Sequence, residues 1–452
     1  MNIKTCMVFL IISLSHVLGQ VEQFGLENQK VTSLALSQTY SFNEFIIAGT
    51  ESNGIFMKGF TGEDTSWFNH YFYNRYVTSV FVQRQGRGPQ DYSRIFVGLQ
   101  PNSIDSTLIY SYDSPILSFW SKRDSGLTTR EINGISSFAA FNYSGHQLWL
   151  PIFCCADNAH IYSLSNTAWD TSWSGIEGLS AIRQLYANDS TIFACGTFNG
   201  FIPAPIVLIS EDYGNTWDEY SPTSFVNNFA YSITASNDSD TIYVGLNNKI
   251  IKSIDRGKNW NATSLQIENA FFNSLVINPL IPSQVFAGGK TNSNMFLLYK
   301  SDNGGITWER IDMEWNCNNC VIMGVNCMTG RVNNNEFELY IGTDGSGVYK
   351  YISKITGITS KQSISPEFKL FQNYPNPFNP TTAIEYSIKY YSFVSLKIYN
   401  ILGKEIATLV NEYKNPGNYK NLFNGKNLSS GVYYTVLKAD KYMQVRKMLL
   451  IK

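Results

Sequence analysis

The sequence predicts an all-β protein, a seven-bladed β-propeller followed by a small β-sandwich. Two observations support this prediction. Between residues 21 and 353 one strand phrase recurs seven times, at intervals of about 40 to 58 residues, the range in which four-stranded units close into a ring. From residue 368 to residue 452, shorter alternating strands and proline-rich turns indicate a separate small β-domain.

The recurring phrase is the second strand of each unit, an apolar run that ends in Gly-Thr or a similar pair. Its copies are FIIAGT (45–50), RIFVGL (94–99), IFCCAD (152–157), IFACGT (192–197), IYVGL (242–246), VFAGG (285–289) and LYIGT (339–343). The seventh unit has no visible fourth strand, which would leave an open sheet edge. We therefore expect residues 21–26 to fill this position and close the ring.

Three turns that follow third strands share a Ser-Asp-Gly-Trp pattern: SEDYGNTW (210–217), SIDRGKNW (253–260) and SDNGGITW (301–308). A short acidic side chain can accept turn N–H groups, glycine supplies a backbone conformation that other residues resist, and tryptophan packs the hairpin against its blade. Asn259 and Asn303 stand where Thr and Asp are usual, and earlier units keep only remnants such as Trp120 and Trp173.

These turns resemble the Asp box, or BNR repeat, of sialidase-like propellers, and the resemblance implies a structural role. The residues that carry it are Ser210, Asp212, Gly214, Thr216, Trp217, Ser253, Asp255, Gly257, Trp260, Ser301, Gly305, Thr307 and Trp308. In such propellers the boxes lie on the face opposite the ligand site. The resemblance therefore places a functional face on the loops between second and third strands and on the crossings between blades.

Two of these crossings are rich in aromatic or acidic residues, at 68–76 (FNHYFYNRY) and at 312–320. A sugar ring stacks well on aromatic faces while neighbouring polar groups fix its hydroxyls. The sequence also permits the plainer interpretation that most of these aromatics pack between blades. The residues expected to contact a ligand are His70, Tyr71, Tyr73, Arg75, Trp315 and Asp344.

The C-terminal segment opens with NYPNPFNPTT (373–382), continues with LSSGVYYTVL (428–437) and ends with KMLLIK (447–452). Its prolines fix an extended entry, because proline locks φ and restricts the preceding residue. The segment resembles the type A C-terminal sorting domain of the type IX secretion system of Bacteroidetes-like bacteria. The motif residues are Tyr374, Pro375, Asn376, Pro377, Phe378, Asn379, Pro380, Gly431 and Tyr433. The resemblance implies a β-sandwich, and the secretion translocon and sortase machinery as partners.

Residues 1–19 have the pattern of a signal peptide, with Lys4 before a short apolar run and a plausible cut before Gln20. No later segment is long and apolar enough for a membrane-spanning helix. The predicted organisation is a signal peptide (1–19), a propeller (20–353), a linker (354–367) and a sorting domain (368–452). The protein is therefore expected to be secreted or displayed at the cell surface by way of the periplasm.

Composition excludes several classes of protein. With 34 basic and 35 acidic side chains the net charge is −1, so the chain lacks the basic stripe of a nucleic-acid-binding protein. Six cysteines follow the signal peptide, and their pairing stays open between disulfides and buried thiols: Cys154, Cys155, Cys195, Cys317, Cys320 and Cys327. No second pair or spaced histidine completes a zinc site with Cys317 and Cys320, and we predict neither metal nor cofactor.

Three functions fit this sequence: a module that binds a glycan or a surface protein, a purely architectural propeller, and a glycoside hydrolase. The FRIP-type arginine motif of sialidases is absent, and carboxylates such as Glu51, Asp157, Glu314 and Asp344 are singled out only by their position in a blade. A fold alone does not supply an activity. The sequence favours a non-enzymatic binding module, with a sialidase-like or other Asp-box glycosidase as the alternative.

Overall fold

A computed structural model describes most of the chain and divides it into two compact units, one on each side of residues 356 and 357. The described residues are 21–37, 44–60, 66–85, 92–114, 119–127, 135–140, 152–156, 160–165, 168–173, 179–188, 191–237, 239–312, 323–333, 336–353, 368–388, 392–414, 417–439 and 442–452. The predicted signal peptide and the predicted linker lie outside these residues.

The first unit starts with β1 (Val21–Gly25) and continues with four antiparallel sheets of four strands. Blade one comprises β2 (Val31–Leu36), β3 (Phe45–Thr50), β4 (Ile55–Gly59) and β5 (Phe68–Tyr71), and blade two β6 (Val77–Gln85), β7 (Tyr92–Leu99), β8 (Ile109–Ser114) and β9 (Ser121–Lys122). Blade three comprises β10 (Ile135–Ala140), β11 (Ile152–Ala156), β12 (Ile161–Ser165) and β13 (Ala168–Trp173), and blade four β14 (Leu179–Ala187), β15 (Ile192–Asn199), β16 (Pro203–Ser210) and β17 (Asp218–Glu219).

Blades five and six form one continuous six-stranded sheet. The reason is that each of two long strands continues through a bend and occupies two successive strand positions. The strands of this sheet are β18 (Ala230–Ala235), β19 (Ile242–Ser253), β20 (Asn261–Ile277), β21 (Val285–Thr291), β22 (Phe296–Ser301) and β23 (Glu309–Arg310). The breaks fall at Asn248 (φ 68°) and Asn269 (φ 58°), a left-handed conformation that asparagine tolerates better than most residues. The two halves of β19 thus act as the second and third strands of blade five.

Blade seven confirms the predicted closure of the ring. Its strands are β24 (Val325–Asn333), β25 (Glu336–Thr343) and β26 (Val348–Ser353), and β1 pairs with β26 as the fourth strand, with Val21 opposite Tyr351. The sequence prediction of seven blades is therefore confirmed within the described residues, and the N-terminal strand removes the exposed edge that blade seven would otherwise have.

The seam between blade seven and blade one is held by Phe24 of β1. Its ring lies 5.0 Å from Tyr340 of blade seven and 6.0 Å from Trp67 of blade one. Lys58 of blade one places its Nζ 3.8 Å from the centre of the same ring, and the Trp67 indole donates a hydrogen bond of 3.0 Å to the Phe24 carbonyl. One side chain therefore contacts both blades that meet at the seam.

The core of the ring lies between neighbouring second strands, each of which buries large side chains. Those less than 2% exposed include Ile47, Phe96, Phe153, Phe193, Tyr243, Phe286 and Tyr340. Three cysteines are buried in the same strands, and burial raises the pKa of the Cys195 thiol to about 12. Within the described residues Cys154, Cys155, Cys195 and Cys327 remain thiols, whereas Cys317 and Cys320 lie outside them.

Each of the three Trp hairpins (210–217, 253–260 and 301–308) contains the same pattern of hydrogen bonds. In the first, the Ser210 hydroxyl donates to Asp212 Oδ1 (3.0 Å) and accepts from the Gly214 N–H (2.9 Å), while Asp212 accepts from the backbone and hydroxyl of Thr216 (2.8 and 2.6 Å). The second and third repeat these contacts through Ser253, Asp255, Gly257 and Asn259, and through Ser301, Asn303, Gly305 and Thr307. Asn therefore replaces either partner without loss of the network.

Each hairpin packs on the blade that precedes it. The Trp217 indole donates to Ser172 of blade three (3.0 Å), and the Trp260 indole donates to the Tyr220 carbonyl beyond β17 of blade four (2.9 Å). Gly214 has a φ of 81°, and a Cβ at this position would lie 2.3 Å from the Phe153 ring of blade three. The tryptophan rings are half-buried. Their contacts join successive blades, in addition to packing within one blade as the sequence suggested.

The second unit is a β-sandwich, as predicted. Its strands are β27 (Lys369–Leu370), β28 (Thr381–Ile388), β29 (Ser392–Asn400), β30 (Glu405–Lys414), β31 (Gly417–Asn424), β32 (Gly431–Ala439) and β33 (Tyr442–Leu450). They form the sheets β27-β28-β31 and β30-β29-β32-β33, and Ile384, Leu396 and Leu437 are among the buried residues between them. Neither unit contains, within its described residues, a helix long and apolar enough to cross a bilayer.

Part of the proline-rich motif is built into the sandwich. Phe378 is buried in the core, and its N–H donates 2.9 Å to the carbonyl of Leu449 on β33. Tyr433 donates its hydroxyl to the Ser429 carbonyl (2.9 Å). Pro375, Asn376, Pro377 and Asn379 are exposed, and Tyr374 has 82% of its surface exposed. The motif therefore has an anchored part and a part that faces solvent.

Replacing Trp217 or Trp260 with Phe should lower the free energy of unfolding by about 1 kcal/mol, because each variant loses a hydrogen bond to the preceding blade. Trp308→Phe is the matched control, since the Trp308 Nε1 is buried and has no partner among the described residues; it should cost less. Replacing any of the three with Ala should cost about 2 to 4 kcal/mol. Denaturant titration of the full chain measures each value, and an equal loss in all three Phe variants would contradict the inter-blade role.

Phe24→Ala should destabilise the ring by about 2 to 4 kcal/mol, because it removes a half-buried ring that contacts two blades. Glu22→Ala is the control. It removes one ion pair with Lys350 (2.8 Å), in which the Glu22 side chain is 51% exposed and that of Lys350 is 17% exposed, and a pair that is open to water at the carboxylate is worth about 1 kcal/mol. Deleting residues 21–25 should cause a larger loss of stability and should also cause aggregation. Thermal melting measures the stability, and light scattering measures the aggregation. A deletion variant that melts like the parent would show that β1 is dispensable.

Candidate functional site

The end of the ring opposite the Trp hairpins carries two cavities, one on each side of the crossing from blade one to blade two. In an antiparallel blade the turn between strands two and three lies at this end together with the crossing to the next blade. The crossing between β5 and β6 has left-handed residues at Phe72 (φ 63°) and Asn74 (φ 57°). It is fixed by hydrogen bonds from the Arg75 N–H to the Phe72 carbonyl and from the Gly54 N–H to the Arg75 carbonyl.

The aromatic cavity has a volume of about 590 Å³ and is lined by Tyr71, Phe72, Tyr73, Asp105, Tyr110 and Trp120. Its rings are packed together, with Phe72 5.0 Å from Trp120 and 4.9 Å from Tyr110. Tyr71 and Tyr73 are 48% and 67% exposed. Exposed rings on a fixed aromatic base provide a stacking surface for a flat, partly apolar ligand.

Three buried nitrogen atoms around this cavity have no hydrogen-bond partner among the described residues: His70 Nδ1, Arg75 Nε and Trp120 Nε1. The His70 ring lies 6.2 Å from the Trp120 ring, and its burial lowers the pKa of His70. A buried polar atom without a partner costs about 1 to 3 kcal/mol, and such atoms are few in native proteins. Their presence beside one cavity marks this part of the ring as unusual.

Beneath the cavity, Arg75 and Asp105 form an ion pair with an Nη1–Oδ2 distance of 2.7 Å. Arg75 also donates to the carbonyls of Gln100 and Thr107, and the Tyr110 hydroxyl donates to Asp105 (2.9 Å). Burial raises the pKa of Asp105, but hydrogen bonds from Thr107, Arg75 and Tyr110 outweigh it and hold the pKa well below its usual range. Asp105 is therefore a permanent carboxylate at neutral pH.

The polar cavity has a volume of about 380 Å³ and is lined by Glu51, Ser52, Asn74, Tyr76, Gln100, Pro101 and Asn102. Glu51 forms an ion pair with Lys30 (2.9 Å), and Lys30 reaches Asp344 of blade seven (3.2 Å). Lys290 of blade six also pairs with Asp344 (3.0 Å). Burial raises the pKa of Asp344, yet the hydrogen bonds and charges of Lys290 and Lys30 outweigh burial and lower it.

The residues expected to bind a ligand have different positions in the structure. Tyr71 and Tyr73 line the aromatic cavity, and His70 lies behind Trp120. Arg75 is 8% exposed and supports Asp105, whereas Asp344 belongs to the ion pairs that join blades one, six and seven. Trp315 lies outside the described residues. The structure thus brings two of the six into one cavity and two more, His70 and Arg75, next to it.

The sequence-based prediction lacks four of the six residues that line the aromatic cavity: Phe72, Asp105, Tyr110 and Trp120. Trp120 was interpreted only as a remnant of a Trp hairpin. A usable signal existed, because an aromatic crossing between two blades must face the turn between strands two and three of the second blade. That turn is residues 100–108, and it contains Asp105.

Comparisons with known proteins support the two-part architecture. Residues 372–452 match the family model of the secretion system C-terminal sorting domain. None of the curated proteins matches the sequence. A solved structure of the extracellular domain of BT4673 from B. thetaiotaomicron, described as a hybrid two component system, is similar at 14% identity with a TM-score of 0.50. The match covers 82% of this chain and 46% of that chain.

Two further structures are similar at lower TM-scores. One is PorZ, a surface component of the type-IX secretion system of Porphyromonas gingivalis (13% identity, TM-score 0.43, 92% of this chain and 59% of that one). The other is a GH74 xyloglucanase from Xanthomonas campestris (11% identity, TM-score 0.46, 81% and 59%). The chain spans about half the length of these three structures, and the similarity to the BT4673 domain, at 14% identity, shows the fold alone. The protein is a β-propeller with a C-terminal type IX sorting domain that directs it to the cell surface or outside the cell.

Proposed function

We propose that this protein is a glycan-binding module that works at the cell surface or outside the cell. The observation that carries the proposal is the aromatic cavity, where two exposed tyrosines stand on a packed base of Phe72, Tyr110 and Trp120. Aromatic faces stack on the apolar faces of sugar rings, and nearby polar groups then fix the hydroxyls. Asp105 lines the same cavity, and its carboxylate supplies acceptor oxygens beside this surface.

We further infer that the three Trp hairpins are Asp boxes of the sialidase-like type. Their common network of Ser, Asp or Asn, Gly and Thr or Asn supports this assignment. The boxes lie at the end of the blades away from both cavities, so they are expected to contribute stability and not binding. The boundaries at 20–353 and 368–452, and the signal peptide at 1–19, form part of the same proposal.

Binding is favoured over glycoside hydrolysis by the state of the carboxylates. A glycosidase uses two carboxyl groups about 5 to 10 Å apart, one of which donates a proton. Among the described residues that line the two cavities, the only carboxylates are Asp105 and Glu51, and both are held in ion pairs, with Arg75 and with Lys30. The lowered pKa of Asp105 also makes it a poor proton donor at neutral pH.

Tyr73→Ala should weaken binding to the glycans that the parent protein retains on a glycan array by about three- to tenfold, because a stacking contact contributes about 0.5 to 1.5 kcal/mol. Phe201→Ala is the matched control, since Phe201 is fully exposed on blade four and lies outside both cavities; its binding should equal that of the parent. Isothermal titration calorimetry measures the affinities. If Phe201→Ala lowers the affinity and Tyr73→Ala does not, the binding site is not the aromatic cavity.

The same samples test the hydrolase alternative. Each retained glycan is incubated with the parent protein, and the products are followed by mass spectrometry. We expect the glycan to remain intact. Cleavage would establish the alternative function, and the absence of any retained glycan would contradict the proposal.

Deleting residues 368–452 should leave a folded propeller in the periplasm of a host that has the type IX system, because the sorting domain is removed. Immunoblots of periplasm, surface and medium measure the distribution. The control is the exposed substitution Leu422→Ala in the sandwich, where Leu422 is 70% exposed and lies outside the proline-rich motif; it should be exported normally. Undiminished export of the truncated protein would show that another segment directs it.

A further inference from the structure

The two cavities share their walls. The crossing contributes Tyr73 to the aromatic cavity and the adjacent Asn74 to the polar cavity. The turn of blade two contributes Asp105 to the first cavity and Asn102 to the second, and the Asn102 N–H donates 3.1 Å to the Asp105 carbonyl. Consecutive Cα atoms are about 3.8 Å apart, so one extended ligand can contact both cavities.

The shared wall is held in place from inside. Arg75 joins the crossing to the turn of blade two through Asp105 (2.7 Å) and the Gln100 carbonyl (3.2 Å). The Gln100 N–H also donates to the Tyr76 carbonyl (3.0 Å). Because both loops are tied to each other, the two cavities keep a constant separation. A fixed separation favours a ligand built of repeating units of constant length.

The polar cavity presents hydrogen-bonding groups that the protein does not use itself. Within the described residues, the side chains of Ser52, Asn74, Tyr76 and Gln100 have no hydrogen-bond partner. All four line the cavity, and together they offer amide, hydroxyl and phenol groups that both donate and accept. Such a set suits the hydroxyls of a sugar better than a group that only accepts or only donates.

Charge narrows the chemistry of the ligand. The Glu51 carboxylate in the polar cavity is paired with Lys30, and the Asp105 carboxylate in the aromatic cavity is paired with Arg75. Lys122 approaches Asp105 at 3.5 Å but is 67% exposed, so water screens it. Among the described residues, neither cavity therefore has an unpaired buried cation to hold an acidic sugar or an unpaired buried anion to hold an amino sugar.

We propose that the two cavities form one extended site for an oligosaccharide of neutral sugars, with one sugar stacked on Tyr73 and the next ones hydrogen-bonded by Asn74 and Gln100. This inference rests on the proposed glycan-binding function and adds a second subsite and a substrate class to it. The aromatic cavity binds one end of the oligosaccharide, and the polar cavity makes affinity increase with chain length.

The test uses the full chain and gluco-, xylo- and manno-oligosaccharides of graded length, with oligogalacturonides as the acidic set, in calorimetry. Asn74→Gly removes the side chain and keeps the left-handed backbone (φ 57°), and Gln100→Ala truncates the second amide. Both variants should bind the long neutral oligosaccharides about three- to tenfold more weakly than the parent, because each loses one or two hydrogen bonds to the sugar. The shortest sugar that binds should be unaffected.

Asn227→Gly is the matched control, because Asn227 is exposed, has a φ of 63° and lies in another blade crossing; it should bind every probe like the parent. If Tyr73→Ala weakens all lengths while Asn74→Gly and Gln100→Ala change none, the second subsite is wrong and the glycan-binding function stands. If oligogalacturonides bind more tightly than the neutral oligosaccharides, the assignment of the ligand to neutral sugars is wrong. If the parent protein retains other glycans on the array but binds none of these probes, this inference is overturned and the proposed function stands. Binding that Tyr73→Ala leaves unchanged would overturn both.

Discussion

The pairing of β1 with β26 is the contact on which the rest of the propeller depends. A ring of sheets has no free edge only when its first and last blades meet, and an unpaired edge invites association with other chains. Phe24 strengthens this contact because its ring touches Tyr340 and Trp67 on opposite sides of the seam. The ion pairs of Asp344 with Lys30 and Lys290 join blades six, seven and one close by.

In blades four, five and six the Trp hairpins pack on the preceding blade at one end of the ring, while crossings join blades at the other end. All three hairpins use polar contacts within the turn, and two of them add an outward hydrogen bond from the indole of Trp217 or Trp260. The crossing of blades one and two uses a buried arginine instead. The two cavities therefore depend on this arginine, because it ties together the crossing and the turn that line them.

Most of the architecture was predictable from the sequence because a propeller repeats one strand phrase and one turn phrase. The contacts between blades were less accessible, since a repeat shows what each unit shares and not what it touches. Arg75 illustrates this limit: its position in an aromatic crossing suggested ligand contact, but its side chain turns inward to Asp105. Trp120 shows the reverse, because its place after β8 suggested a structural turn while its ring lines a cavity.

Ring closure also has a consequence for how the chain acquires its fold. Gln23 of β1 and Ser346 in the turn before β26 make a hydrogen bond although they are 323 residues apart in sequence. Contacts between residues so far apart in sequence form slowly, because the entropy cost of closing the long loop between them precedes the stabilisation that the contact provides. Blades can form individually as local hairpins, but the native state requires the first strand to stay available until the last blade exists. A chain that ends before β26 would therefore leave β1 unpaired even if the first six blades were complete.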